Sequence, residues 1–96
     1  MDNARLLEAI RSLLALTYKE AEGEARAGPA WLHDQTLVAI DKLRELEAAC
    51  VAGALRLGPG FSFREHLGES WVELEGEVYD LAESLDAELQ GIARDA

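Results

Sequence analysis

Glu69, Glu73, Glu77 and Asp80 recur at steps of four, four and three. On an α-helix those steps return to one face, because each residue turns the chain by about 100°. Carboxylate oxygens are hard ligands, and Mg²⁺ takes a few of them while keeping several waters. A cation held that way lowers the pKa of a bound water and neutralises charge on a leaving group. Glu73, Glu77 and Asp80 are therefore candidate Mg²⁺ ligands. The alternative is a solvated helix face, since Glu is common on the surfaces of acidic helical proteins.

Glu47 is the second candidate. It falls among Ile40, Leu43, Cys50, Val51 and Ala54, on the apolar face of a helical stretch. A carboxylate there requires a partner or a metal, because an unpaired buried charge is costly. Arg44, one turn away, would be the partner in one reading. In the other, Glu47 is a metal ligand. Glu24, with Glu20 one turn earlier, is a similar case on the first helix. His33 lies on the inner side of the second helix, where a lone imidazole is an edge residue or a ligand. Cys50 sits between apolar neighbours and reads as core. As the only cysteine it allows neither an intrachain disulfide nor a Cys-based zinc site. No Gly-rich phosphate loop and no Ser/His/Asp set occurs.

These side chains must be positioned by helices. Ala, Leu and Glu dominate, the two prolines both sit beside glycine, and no segment alternates with period two. The first helix is expected over about residues 2–27, with Asp2 as N-cap and Gly28-Pro29 as the stop. The second is expected over about residues 30–57, ended by Gly58-Pro59-Gly60. Ser62-Phe-Arg-Glu65 has capping-box spacing, which gives Glu65 a structural role. Gly68 closes a short helix there. A long helix then follows to about residue 93, with Leu67, Trp71, Leu74, Val78, Leu81 and Leu85 as its apolar stripe. The acidic stripe is centred roughly 120° from that one, so it flanks the buried face. Short connections make neighbours antiparallel. The expected fold is all-α, a single domain over residues 1–96, an antiparallel bundle of three to four helices. Val72 and Tyr79 lie off the main stripe, and such surplus apolar surface is expected to pair two chains as a homodimer through helix faces.

The chain has 96 residues, of which 49% are apolar, and a net charge of −10. That charge disfavours nucleic-acid polymers and anionic membranes and attracts divalent cations. Arg5, Glu8, Arg11 and Lys19 interrupt the leucines of the first helix, so neither a membrane span nor a signal peptide is expected. A cytoplasmic location follows as the expectation.

Glu73 and Glu77-x-x-Asp80 follow a glycine-containing turn, and an earlier acidic helix precedes it. Gly53, the turn Arg56-Leu-Gly-Pro-Gly-Phe-Ser-Phe-Arg64 and Trp71 ahead of the acids complete the pattern over about residues 46–85. This segment resembles the MazG-like all-α nucleoside triphosphate pyrophosphohydrolases, in particular their short, phage-type members. The resemblance implies helical dimers, Mg²⁺ held by carboxylates from two helices, and release of pyrophosphate from a nucleotide substrate. Glu77 and Asp80 match the second acidic motif, with Glu73 beside them. The family's first motif, Glu-Glu-x-x-Glu, has only loose substitutes here: Asp41 with Glu45-Leu-Glu47, or Glu20-x-Glu22-x-Glu24. Within that mechanism Glu47 would be the base, and Arg64, Arg56 or Lys42 would contact phosphate. The competing expectations are a non-catalytic helical oligomerisation or interaction module, and an acidic inhibitor of a basic partner.

Overall fold

The computed structural model describes residues 3–53, 55, 57, 61–72 and 74–95. Asp2, Ala54, Arg56, the Gly58-Pro59-Gly60 run and Glu73 lie outside the described residues. Within them the fold is all-α: α1 Asn3–Ala27, α2 Ala30–Val51, α3 Phe63–Leu67, α4 Glu69–Val72 and α5 Gly76–Asp95. No helix among the described residues is long and apolar enough to cross a membrane.

The turn from α1 to α2 is two residues long. Gly28 N–H donates to Glu24 O at 2.8 Å, and Pro29 takes the extended conformation that starts α2. A Cβ on Gly28 would stand 2.9 Å from the Glu24 Cα, so the turn is too tight for any side chain there. The two helices therefore run antiparallel, and the Arg11–Glu47 contact of 3.0 Å marks their register.

The remaining elements complete a square. Ser70 Oγ donates to Gln35 Oε1 at 3.1 Å, which lays α4 beside the first half of α2. Phe63 N–H donates to Asp86 Oδ1 at 2.7 Å, which joins α3 to the middle of α5. Arg5 lies 3.6 Å from Glu88, while Glu20 and Glu24 share a groove with Glu77, so α5 runs antiparallel to α1. The order around the square is α1, α2, α3 with α4, α5, and back to α1. This is an up-and-down four-helix arrangement whose third member is broken into two short helices.

Core side chains come from each side of the square. Ile10, Leu13 and Thr17 of α1, Leu43 of α2, Phe63 of α3, and Leu85 and Leu89 of α5 are almost wholly removed from solvent. Burying each large apolar side chain stabilises the fold by roughly 1.5–3 kcal/mol. The Thr17 hydroxyl is satisfied locally by donating to Leu13 O at 2.7 Å.

Two expected helices are cut short. The second helix stops at Val51, well before Gly58, because Gly53 at φ +66° provides the left-handed C-terminal position and donates to Cys50 O at 3.2 Å. The expected long helix from residue 69 onward is interrupted at Leu74 and Glu75, and α5 starts at Gly76, φ +59°. The real stripe of α5 is Val78, Ala82, Leu85, Leu89 and Ala93, whereas Leu81 is 37% exposed. Trp71 and Tyr79 show what the break achieves. Eight residues apart on one straight helix they would be displaced by about 12 Å along its axis. Their ring centroids are 5.8 Å apart, in a tilted edge contact. Tyr79 is thus absorbed into the core's edge and is not surplus surface, while Val72 remains 76% exposed.

Candidate functional site

The break faces a groove against α1. Residues 75–78 and the second half of α1 line this open groove of ≈ 860 Å³, with Glu20, Glu24, Glu75, Glu77 and Lys19 among its walls. A narrower crevice of ≈ 160 Å³ adjoins it, sharing Glu20, Glu24, Glu75 and Val78 and reaching Leu32 and Thr36 of α2. Acids from two separate segments therefore line one groove. Glu24 Oε1 is buried there without a hydrogen-bond partner. Glu24 stays half-covered on a helix that continues to Ala27.

The acids of the expected stripe are dispersed. Glu77 is exposed and occupies the first turn of α5, where a negative charge offsets the unpaired N–H groups of the helix start. Asp80 is exposed and lines neither the groove nor the crevice. Glu69 is exposed in the first turn of α4, so it belongs to a different helix from Glu77. The expected continuous acidic stripe is thereby split between helix starts, and Glu73 lies outside the described residues. Glu47 is half-buried and accepts a 3.0 Å hydrogen bond from Arg11 Nε, not from Arg44. It lines a separate groove with Arg11, Tyr18 and Arg44. Among the described residues no group of three or more His, Cys, Asp or Glu side chains is close enough to hold a metal ion. Of the Mg²⁺ set implied by the resemblance, Glu73 lies outside the described residues, Glu77 and Glu47 line separate grooves, and Asp80 lines neither.

Both histidines have a covered ring nitrogen without a partner, His33 Nδ1 and His66 Nε2. His66 lies on α3, with its ring 5.9 Å from that of Phe61. Burial holds its pKa below the usual 6.5, the Lys42 charge lowers it further, and Glu45 offsets part of this. The unfolded chain therefore takes up the proton first as pH falls. Stability from this group is complete above about pH 6.5 and is lost as pH drops through the folded-state value. Urea unfolding between about pH 7.5 and pH 5 should show wild-type stability declining, with a flatter profile for His66→Gln.

A second kind of feature lies on the outside of α2. Trp31 is 59% exposed, Leu37 and Val38 are each 43% exposed, and Val51, expected in the buried face, is 60% exposed. Around Trp31, at the α1–α2 turn, all of residues 22–31 except Glu24 are exposed. The outer face of α2 was not visible as a site because its apolar residues interleave with Asp34, Asp41 and Glu45. Glu75 was also missed. Its signal was Gly76, which marks a helix start that periodicity ran through.

No family model, curated protein or solved structure matches this chain.

Proposed function

We propose that the protein is a non-catalytic helical interaction module that binds another polypeptide along the outer face of α2. The observation that carries this reading is the exposure of Trp31, Leu37 and Val38 on one side of a helix whose other side is core. Trp is a large apolar anchor and is enriched where partner chains dock. A rigid bundle presenting such a face binds without needing a reaction centre.

A panel of displayed amphipathic helices, selected on the full chain, tests the reading. Selected helices should bind wild type and lose at least tenfold in affinity for Trp31→Ser/Leu37→Ser/Val38→Ser. That variant must keep the wild-type circular dichroism spectrum and melting temperature for the comparison to count. Failure to select binders, or equal binding to the folded variant, would refute the module.

A competing reading is Mg²⁺-dependent release of pyrophosphate from nucleoside triphosphates. It is favoured by the acids of α1 and α5 lining one groove and by the unpartnered Glu24 oxygen. The interaction reading predicts no such release by the pure protein. Metal-dependent release that disappears in Glu24→Gln/Glu77→Gln would replace it with the hydrolase reading.

A further inference from the structure

Successive residues of α2 turn by about 100°, which fixes the order of its exposed positions around the helix. Asp34, Asp41 and Glu45 project close together down the centre of the outer face. Trp31 and Val38 flank that line on one side, and Leu37 flanks it on the other. All six are exposed, so the face is a row of carboxylates between two apolar edges. Arg44, on the Leu37 side, is the single basic residue among the exposed positions of α2.

From this arrangement we infer that the occupant of the α2 face is a basic amphipathic helix of another protein, one carrying Lys or Arg beside its apolar stripe. The inference rests on the interaction reading above and adds the chemistry of the partner. Charge complementarity decides between the available occupants. A second copy laid symmetrically on this face would oppose Asp34, Asp41 and Glu45 with the same three acids, and each copy already carries a charge of −10. A neutral apolar helix would cover the edges but leave three carboxylates desolvated without partners. Lys or Arg side chains placed over the central row satisfy the acids, and their stems cover the apolar edges. Trp31 adds an aromatic face on which a cation can rest. The six residues span positions 31–45 of α2, about 21 Å along its axis. A partner helix of about four turns therefore matches it.

Three synthetic helices with the same leucine spacing, flanked by Lys, Gln or Glu, make the test. Their binding to the full chain is read by fluorescence anisotropy at low and high salt. The Lys peptide should bind at least tenfold tighter than the Gln peptide at low salt, and that advantage should shrink as salt rises. Asp34→Asn/Asp41→Asn, which leaves only Glu45 in the row, should remove most of the advantage. Glu20→Gln/Glu77→Gln removes the same number of charges elsewhere and should leave it intact. If the two double variants behave alike, the cationic peptide is responding to net charge and the inference is overturned. If Lys and Gln peptides bind equally well, and Trp31→Ala weakens both, the charge inference fails while the interaction module stands. If no peptide binds, both fall. If sedimentation shows a stable dimer that Trp31→Ala dissolves, the occupant is a second copy and the inference is overturned.

Discussion

Replacing Trp71 with alanine should lower the unfolding free energy by about 3–5 kcal/mol. Trp71 is buried and holds three elements together. Its ring meets Phe63 of α3 edge-on at 6.2 Å and Tyr79 of α5 at 5.8 Å. The Arg64 guanidinium lies 5.8 Å from the same ring. Truncation leaves a cavity at the point where the broken third side of the square meets α5, and helices of four and five residues cannot persist alone. Small domains are typically stable by only about 5–15 kcal/mol, so this loss is a large fraction of the total. Trp71→Phe, which keeps an aromatic ring, should recover more than half of the loss. Urea titration followed by far-ultraviolet circular dichroism measures both. A loss below about 1 kcal/mol for the alanine variant would mean that the aromatic contacts do not hold α4 in place.

The second large effect should come from Asp86. Its Oδ1 accepts the backbone N–H of Phe63 at 2.7 Å and that of Arg64 at 3.3 Å, and its Oδ2 accepts from Gln90 Nε2 at 2.8 Å. Ser62 Oγ accepts the next amide, Glu65 N–H, at a long 3.4 Å. A carboxylate from α5 thus does most of the work expected of the Ser62–Glu65 capping box. Asp86→Ala leaves the first amides of α3 without their acceptor and should cost about 2–3 kcal/mol. Asp86→Asn keeps one acceptor oxygen and loses the charge, so it should fall between alanine and wild type. Ser62→Ala should cost less than Asp86→Ala. The reverse order would show that the local cap, not the one from α5, starts the helix.

The α1–α2 hairpin was legible in the sequence because its signals are local. Gly28-Pro29 ends one helix and starts the next, and Ile10, Leu13, Leu43 and Leu46 keep helical spacing. The break before α5 was not legible because Trp71, Leu74 and Val78 continue a helical period straight through it. Periodicity reports which side chains are apolar, and a chain that folds back to bury the same residues gives the same pattern. Gly53 and Gly76, both at positive φ, were the residues that carried the missing information. Of the candidate site, the presence of acids on an inner-facing part of α1 could be read. Which acids share a groove depended on the break, so Glu75 could not be anticipated and Asp80 could not be set apart. The partner of Glu47 was a tertiary matter too, since Arg11 precedes it by 36 positions.

The order of helices around the square has a kinetic consequence. With α3 and α4 taken together as one side, each side of the square packs against its neighbour along the chain, and the α1–α5 seam joins segments from opposite ends. Chains dominated by such near-sequence pairings collapse rapidly, in microseconds to milliseconds, since little loop entropy is spent before contacts form. The hairpin of α1 and α2 is the natural first structure, and closing the ring with α5 is the natural last step.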